Sequence, residues 1–569
     1  MDGLPAQRRE RPQTRDPAKI VDEAIKASAV VEHVSTYSLD LQPRILCNEK
    51  HFHLRQFKEA FYIRHNRCIN RDKGVQRFCR QDFILLRLVD RLRMVSEGKK
   101  LRNFEKALPN PGLDESFIDN RWPRVYKLVK DLDLTLDDLK EVMNVMSKEM
   151  DRGLSAEPGV KSCLKMLPSY VRHLPDGTEV GPYLAMDLGG TNFRILLINL
   201  RGQHPDMINR TFRIPSAIMI GHGNDLFRHI AKCLHEFLVD NNLMNEKIPL
   251  GFTFSFPCEQ HELADATLIT WTKGFNCKGV VGKNVVQLLQ NAIDEYKDIK
   301  VKVVALLNDT VGTQMALAYS DHNCHVGLIV GTGSNACYTE KMARIPKLKD
   351  ASSSEMIINM EWAGLGEDGC LNKIMTSYDK LVDRDTINPG KQLFEKVISG
   401  MYMGEIVRFI LLDLVNHKLL FNGKGSTELS TPGKFSTKHV SEIELDLQEG
   451  QCNFSNTYGI LEDLGIEEIS VTDCAVVSHI CALVSSRAAY LCGAGVACLL
   501  NRIQKPLVTV GVDGSVYRYH PNFGSRLKFA INLLKDPALK FELKLSQDGS
   551  GLGAALVAAV AWRVSQQNG

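Results

Sequence analysis

The stretch "LAMDLGGTNFRILLINL", residues 184–200, places a short polar turn between two apolar runs. Both runs have the composition of buried strands, so the stretch predicts a β-hairpin. Gly189 and Gly190 tolerate backbone angles that a side chain would forbid, and they let main-chain N–H groups approach a ligand. Asp187, at the mouth of the turn, repels a phosphate but attracts a metal ion. The pattern fits a hairpin that grips a magnesium-bound polyphosphate, and equally an ordinary Gly-Gly turn with a polar rim.

Size and composition limit the classes of protein to consider. A chain of 569 residues exceeds what one core usually organises, so two or more domains are expected. An apolar content of 44% and a charged content of 24% are typical of soluble globular enzymes. The net charge of +3 offers no general attraction for nucleic acid, and no nucleic-acid partner is predicted. The 15 cysteines form no C-x-x-C pair, which favours free thiols in a reducing compartment, and we expect a cytoplasmic protein.

Two segments raise the question of membrane contact. The apolar run at 474–500 contains His479 and Arg487, so it predicts a buried pair of core helices rather than a membrane span. Residues 51–106 carry 15 Lys and Arg against 6 Asp and Glu, and 81–95 has the pattern of a basic amphipathic helix. Such a helix can bind an acidic membrane surface or a partner weakly. The preferred interpretation is a helix docked on the large domain, or a weakly ordered extension with no separate role, because most amphipathic stripes are packing surfaces.

Polar residues also follow other predicted strands. "GFTFSFPCEQ", residues 251–260, ends in a proline turn with Ser255 near its tip, and "WTKGF" sets Thr272 and Lys273 beside an aromatic residue and a glycine. In "VVALLNDTVGT", residues 303–313, a buried strand runs into Asn308 and Asp309. Ligands of α/β folds bind at such strand ends, where a carboxylate can act as a base. Taken alone, an Asx turn or helix N-cap is the commoner role for Asp309.

Three further stretches have the character of phosphate loops. "VGLIVGTGSNACY", residues 326–338, has a strand, a glycine turn and a second strand, and "VTVGVDGSVYRYHP", residues 508–521, repeats that order. "QDGSGLGAALVAAVAW", residues 547–562, is a glycine-rich loop opening a helix, which is a natural anion site. Several such loops in one chain favour a nucleotide-dependent enzyme.

The stretches "DLGGTNFR", "FTFSFPC", "WTKGF", "LLNDTVGT", "VGTGSNACY", "NPGKQLFEKVISGMYMGEIVR", "VGVDGSVYR" and "GSGLGAAL" together resemble the hexokinase family in order and spacing. The resemblance implies the α/β, two-domain actin-like ATPase fold, which is ribonuclease H-like, with a mixed central sheet flanked by helices in each domain and a cleft between them. It implies ATP-dependent phosphorylation of the 6-hydroxyl of a hexose, glucose before fructose or mannose, at the first step of glycolysis, by an allosteric enzyme. The alternative is a hexokinase-like sugar sensor with weak turnover. The expected localisation is cytoplasmic, and association with the mitochondrial surface is left open.

The resemblance also implies domain boundaries. Residues 1–124 would be a basic extension of unknown role, with the main body beginning near Val125. Residues 125–172 and 310–544 would form the large domain, and 173–309 and 545–569 the small domain. The oligomeric state stays open.

Site roles follow residue by residue from the same resemblance. Asp309 matches the general base, and Lys273 joins it in catalysis. The sugar-binding positions are Ser255, Thr272, Lys273, Asn308, Asp309, Asn335, Glu361 and Glu395. The ATP-binding positions are Asp187, Gly189, Gly190, Thr191, Asn192, Arg194, Thr332, Gly333, Gly511, Asp513, Gly514, Ser515 and Ser550. Mg2+ would be held mainly by ATP and water, with Asp187 in its outer shell. Leu365 and Leu552 depart from the family pattern, and their effect is not predicted.

Overall fold

The computed structural model describes residues 120–189, 192–201, 205–271, 274–348, 354–447, 454–546 and 548–567. Of two compact units, 1–105 and 106–569, the described residues all belong to the second. The predicted basic helix at 81–95 lies outside the described residues.

The strands are short and are distributed over most of the described chain. They are β1 Leu167–Pro168, β2 Gly181–Leu188, β3 Asn192–Leu200, β4 Asp206–Arg213, β5 Pro249–Phe254, β6 Cys258–Glu262, β7 Asp265–Leu268, β8 Lys302–Leu307, β9 Cys324–Val330, β10 Ser334–Lys341, β11 Glu355–Asn359, β12 Leu507–Asp513 and β13 Lys540–Leu545. Strands β6 and β7 form a separate two-stranded sheet.

Two mixed sheets repeat one topology. The first has the order β4-β3-β2-β5-β8, in which β2, β3 and β4 are antiparallel neighbours and β5 and β8 continue parallel to β2. The second has the order β1-β11-β10-β9-β12-β13, in which β9, β10 and β11 are antiparallel and β12 and β13 continue parallel to β9. Apart from β1, each sheet therefore has a three-strand meander followed by two parallel strands. This repeat of the topology is not visible as a repeat in the amino-acid sequence.

The helices cover both sheets and build most of the larger core. They are α1 Trp122–Val129, α2 Leu136–Leu154, α3 Ser216–Met219, α4 Gly223–Asp240, α5 Val285–Asp294, α6 Asp309–Ala318, α7 Ser377–Arg384, α8 Leu393–Ile398, α9 Gly400–Asn416, α10 Thr427–Ser430, α11 Thr437–Leu445, α12 Ser455–Asp463, α13 Val471–Ile503, α14 Ser515–Tyr519, α15 Phe523–Leu534 and α16 Gly549–Gln567. Short 3-10 helices lie at Lys130–Leu132, Met342–Arg344, Trp362–Gly364 and Phe421–Gly423.

The apolar run at 474–500 forms one helix, so the predicted pair of helices is wrong. Helix α13 is the one described helix long and apolar enough to cross a membrane, and its apolar window is wholly buried in the protein. A bidentate ion pair explains how it carries a charge in the core: Arg487 donates to both carboxylate oxygens of Asp379, at 2.8 and 2.7 Å. A buried pair of this kind is tolerated because both charges are hydrogen-bonded.

Local signals account for several helix starts. Helix α2 begins with a capping box, in which the Thr135 hydroxyl accepts from the Asp138 amide and the Asp138 carboxylate accepts from the Thr135 amide. Helix α16 begins at Gly549, in the glycine-rich stretch predicted to open a helix. After β12, however, the chain enters the short helix α14 and not a second strand.

Helices α6 and α16 connect the two sheets. Helix α16 packs against β2, β5 and β8 of the first sheet, whereas α6 packs against β9, β10 and β12 of the second. The two helices also pack on each other. Their N-termini, at Asp309 and Gly549, are thereby held by the same contact.

Candidate active site

Three amide side chains and one carboxylate form a hydrogen-bonded cluster where β8 and β11 end and β10 begins. The Asn335 amide donates to the Asn308, Asn359 and Glu361 oxygens at 3.4, 2.8 and 3.1 Å. The Asn359 amide also donates to Glu361, at 2.9 Å. The cluster brings together three residues predicted to bind sugar, Asn308, Asn335 and Glu361. Amides and carboxylates in this number suit a ligand rich in hydroxyl groups.

Asp309 is the first residue of α6 and follows this cluster directly. The N-cap is Asn308, whose side-chain oxygen accepts from the Thr310 amide at 3.0 Å. The N-cap alternative for Asp309 is therefore wrong: the neighbouring asparagine has that role. Asp309 is half-buried, as a group positioned to exchange a proton with a ligand must be.

Glu361 adopts an unusual backbone conformation, with a φ of 52° in the left-handed region. This region is sterically costly for a side chain other than glycine, so the surroundings must hold it there. They include the Asn335 oxygen, which accepts from the Trp362 amide at 3.3 Å. The indole of Trp362, fully buried, donates to the Ser334 hydroxyl at 3.1 Å. Leu365 is also fully buried, so it contributes to the core beneath this loop.

Glu395 meets the loop that follows β9. Its carboxylate accepts from the Ser334 amide at 2.9 Å, and a Cβ on Gly333 would lie 2.7 Å from the same oxygen. A predicted sugar-binding carboxylate and a predicted ATP-binding glycine are therefore in direct contact. Thr332, the other predicted phosphate residue of this loop, is exposed.

A second cluster gathers at the β2–β3 hairpin, which is confirmed as a hairpin. Asp187 and Arg194 are opposite each other in its register, and Arg194 Nη2 lies 3.0 Å from Asp187 Oδ2. The Ser550 hydroxyl, at the start of α16, donates to the same oxygen at 2.6 Å. Arg194 Nη1 lies 2.5 Å from Asp548 Oδ1. Burial opposes the charge of Arg194, but the carboxylates of Asp187 and Asp548 outweigh it and raise the pKa of the guanidinium.

The arginine and the helix end suit an anion. The N-terminus of α16 carries unpaired amides and a partial positive charge, and Arg194 adds a full charge beside it. Gly189 lies at the end of this cluster: a Cβ there would be 3.7 Å from the Ser255 hydroxyl oxygen. Asn192 is exposed at the first position of β3. The hairpin thus brings predicted phosphate residues within contact distance of Ser255, a predicted sugar residue.

The loops after β9 and β12 pack back to back. A Cβ on Gly331 would lie 3.3 Å from Gly514 Cα, and one on Gly514 would lie 2.3 Å from the Val330 oxygen. Gly514 also has a φ of 114°, so glycine is required there for two reasons. Asp513 accepts from the Gly514 amide at 2.7 Å, and Ser515 is exposed at the start of α14. Gly511 lies apart from the loop, buried within β12 against α6.

Several predicted residues lie outside the described part of the chain, and the clusters contain other residues that were not predicted. Gly190, Thr191, Thr272 and Lys273 lie outside the described residues. Asn359 and Asp548 were not singled out, although they complete the two clusters. Each is a polar residue within two positions of a predicted site residue, Glu361 or Ser550, and this proximity was the available signal. Leu552 is half-buried and packs against the core shared by β2, β3 and α16.

Predicted sugar-binding residues and predicted ATP-binding residues meet at two points, Ser255 with Gly189 and Glu395 with Gly333. A hydroxyl-rich ligand on the first set and a polyphosphate on the second would therefore lie next to each other. This arrangement suits transfer of a phosphoryl group, because positioning supplies most of the catalysis in such reactions.

Comparisons with known proteins match the described part of the chain to the same family. Two family models described as hexokinase match residues 124–319 and 325–560. Hexokinase-2 of Rattus norvegicus is 46% identical over 458 residues, which are 79% of this chain and 49% of that protein. The hexokinase of Schistosoma mansoni is 44% identical over 440 residues, 77% of this chain and 97% of that protein. The chain thus spans about half the length of the rat relative and nearly all of the schistosome one.

Solved structures give the same result. The hexokinase from Schistosoma mansoni complexed with glucose matches with a TM-score of 0.72 and 43% identity, over 79% of this chain and 100% of that chain. Another solved hexokinase matches with a TM-score of 0.68 and 29% identity, over 77% of this chain and 99% of that chain. The predicted fold, a two-domain actin-like ATPase of the α/β class, is confirmed.

Proposed function

The chain belongs to the hexokinase family, and on that premise we propose that it transfers the γ-phosphoryl group of ATP to the 6-hydroxyl of a hexose, with glucose the first candidate. The observation that carries the proposal is the contact between predicted sugar-binding and predicted ATP-binding residues, at Ser255 with Gly189 and at Glu395 with Gly333. A kinase needs its acceptor and its phosphoryl donor in contact, and binding residues that touch each other would hold the two ligands in this way.

On the acceptor side, the amides of Asn308, Asn335 and Asn359 and the carboxylate of Glu361 would hold the sugar hydroxyls. Asp309, beside them at the start of α6, would take the proton from the 6-hydroxyl as that oxygen attacks the γ-phosphorus. Lys273 would assist from its position in "WTKGF". A solved relative that is 43% identical is complexed with glucose, which supports a sugar as the acceptor.

On the donor side, the residues fit a magnesium-bound polyphosphate. Asp187 and Ser550 offer the oxygen ligands that Mg2+ prefers. Arg194 already pairs with Asp187, so the carboxylate would hold the ion through water and not directly. The ion, when bound with ATP, neutralises phosphate charge. Arg194 and the N-terminus of α16 would orient the phosphates in the same place.

Sugar binding would complete the site. Its contacts would come from both sheets, with Ser255 after β5 of the first and Glu361 after β11 of the second. A ligand that contacts both sides favours the closed arrangement and excludes the water that would otherwise accept the phosphoryl group. ATP hydrolysis without sugar should therefore be slow.

A coupled assay for ADP formation over a panel of hexoses tests the proposal. We expect glucose-dependent ADP formation, and a loss of kcat of about 100-fold or more for Asp309→Asn, the usual scale for a general base. Asp294→Asn, an exposed carboxylate on α5, is the matched control and should leave kcat unchanged. Glucose binding without glucose-dependent ADP formation would instead identify the sugar sensor, and the proposal would be wrong.

A further inference from the structure

Two half-buried thiols lie together outside the clusters described above. Cys163 lies on the segment between α2 and β1, and Cys370 lies in the loop that follows the 3-10 helix Trp362–Gly364. A sulfur of each and a carboxylate oxygen of Asp368 all lie within 4.8 Å of one another. The Asp368 side chain also accepts from the Cys370 amide, at 3.1 Å, so the loop holds both residues in one turn.

A second carboxylate completes the cluster from α2. Glu149 Oε2 lies 3.5 Å from Cys163 Sγ and accepts from the Cys163 amide at 3.1 Å. Its side chain is only 5% exposed, and it also accepts from the Ser162 hydroxyl at 2.8 Å. Glu149 is therefore held in a fixed orientation against the thiol by hydrogen bonds to its own oxygens.

We propose that Cys163, Cys370 and Asp368, with Glu149 behind Cys163, form a binding site for a thiophilic divalent cation such as Zn2+. Zinc accepts both thiolate sulfur, at about 2.3 Å, and carboxylate oxygen, at about 2.0 to 2.2 Å. The ligand atoms of a tetrahedral site then lie roughly 3.5 to 4 Å apart. The ligand atoms of Cys163, Cys370 and Asp368 lie within 4.8 Å of one another, so they would have to approach by about 1 Å to reach that geometry. Hard cations such as Mg2+ prefer all-oxygen ligands and are disfavoured by the two sulfurs.

The charges of the cluster agree with a cation. Two carboxylates and two thiols meet here. The positively charged side chain of Arg152 lies beside them, with its Nη1 2.5 Å from Glu149 and 3.9 Å from Asp368. Binding of a divalent ion as the thiols ionise would leave the four ligands and the arginine with a net charge near minus one. The arrangement differs from an acidic surface patch because the ligands come from three separate segments.

The site has a structural connection to the sugar cluster. Gly364, three residues after Glu361, packs so closely that a Cβ there would lie 2.5 Å from the Cys163 carbonyl oxygen. Glu367, in the same loop, accepts from the Gln392 amide at 2.9 Å, and Gln392 is the N-cap of the helix that carries Glu395. A cation at the cluster would fasten this loop to α2.

Titration of the reduced full-length protein with Cd2+, a spectroscopic substitute for Zn2+, tests the proposal. After removal of metals with a chelator, we expect one equivalent of Cd2+ to produce a sulfur-to-metal charge-transfer absorption that Zn2+ competes away. The absorption should be absent from the Cys163→Ser/Cys370→Ser double variant. Cys233→Ser, a buried cysteine of α4, is the control and should keep it.

A second measurement covers the case in which the double variant fails to fold. Asp368→Asn changes an exposed residue and keeps both thiols, and we expect it to weaken Cd2+ binding by at least about 10-fold. Maleimide labelling read by peptide mass spectrometry should show Zn2+ protecting Cys163 and Cys370 specifically, reversibly on chelation. Binding unchanged in the variants would overturn the proposal, as would protection that persists after chelation because the two thiols have formed a disulfide.

Discussion

Gly312 of α6 and Gly553 of α16 are in direct backbone contact: a Cβ on Gly553 would lie 2.0 Å from the Gly312 carbonyl oxygen. The contact is also close from the other side, since a Cβ on Gly312 would lie 3.2 Å from the Gly549 oxygen and from Ser550 Cα. Each helix packs on a different sheet, with Asp309 the first residue of α6 and Ser550 the second residue of α16. The glycine contact therefore sets how far Asp309 lies from Ser550.

We predict that Gly553→Ala moves the two helices apart. Backbone atoms cannot rotate away as a side chain would, so the variant should lose about 1 to 3 kcal/mol of stability, the usual cost of overpacking. It should also lose kcat, because the acceptor and donor sides separate. Thermal unfolding and the ADP assay measure both effects.

The matched control is Gly459→Ala in α12, where a Cβ would meet nothing within 4 Å. Replacing a helical glycine without steric conflict should leave stability unchanged or increase it by up to ~1 kcal/mol. Equal behaviour of the two variants would show that the α6–α16 contact has no special role.

Asn359→Asp should weaken glucose binding selectively. The substitution replaces an amide that donates to Glu361 with a carboxylate, so two like charges would face each other at 2.9 Å. We expect the KM for glucose to rise at least about 10-fold, a change of about 1.4 kcal/mol, while the KM for ATP changes little. Asn291→Asp, exposed on α5, is the control and should leave both constants unchanged. An equal rise in both constants would place Asn359 outside the sugar site.

Arg194→Leu should show the opposite selectivity. It removes the cation that links Asp187, Ser550 and Asp548, leaving carboxylates that repel the phosphates. The KM for ATP should rise about 10-fold or more, the scale of a lost charged hydrogen bond, and the KM for glucose should change little. Arg210→Leu, which removes a cation from the exposed edge strand β4, is the control and should leave both KM values unchanged. The assignment is wrong if Arg194→Leu affects only glucose.

Acid should destabilise the protein through buried histidines. Burial lowers the pKa of His479 from its ordinary value of 6.5 to about 4, and it lowers the pKa of His325 to about 4 as well. Between these values the unfolded chain binds protons that the folded protein does not, so stability falls as the pH drops from about 6.5 to about 4. For His479, which contacts Trp122 at 4.8 Å between ring centres, the loss should reach ~3 kcal/mol.

Urea unfolding at a series of pH values measures this loss. His479→Leu should flatten the pH dependence of the unfolding free energy in that window, whereas His222→Leu, at an exposed position, should not. Identical curves for the wild type and His479→Leu would exclude His479 as a source of acid sensitivity.

A truncated protein that starts at Asn120 should keep kcat within about threefold of the full chain, a change worth under ~1 kcal/mol. This start keeps Arg121, which lies 2.8 Å from the buried Asp473, and Trp122. Starting at Val125 removes both, and we expect that shorter protein to unfold at a lower temperature. The truncated protein that starts at Asn120 lacks residues 1–119 of the basic extension. If it is folded but inactive, those residues belong to the catalytic unit.

The elements of the site followed from local features of the sequence. Two strand-like runs around Gly189 and Gly190 predicted the hairpin, because a glycine pair permits a tight reversal and the flanking side chains have to be buried. The capping box at Thr135 and the glycine-rich start of α16 could be recognised in the same way. The family motifs added roles that composition and periodicity could not supply, above all for Glu361 and Glu395.

The tertiary structure decided which of these elements meet. Asp187 and Ser550, 363 positions apart, share a hydrogen bond only because α16 returns to pack on the first sheet. The common topology of the two sheets left no repeat in the sequence, since strand order depends on backbone pairing that many side chains satisfy. The single helix α13 is continuous because the surrounding core buries residues 473–500 and Asp379 neutralises Arg487. The periodicity of residues 474–500 predicts neither this burial nor the ion pair. A local pattern specifies an element and the face that it buries, whereas packing over the whole chain determines which other elements it contacts.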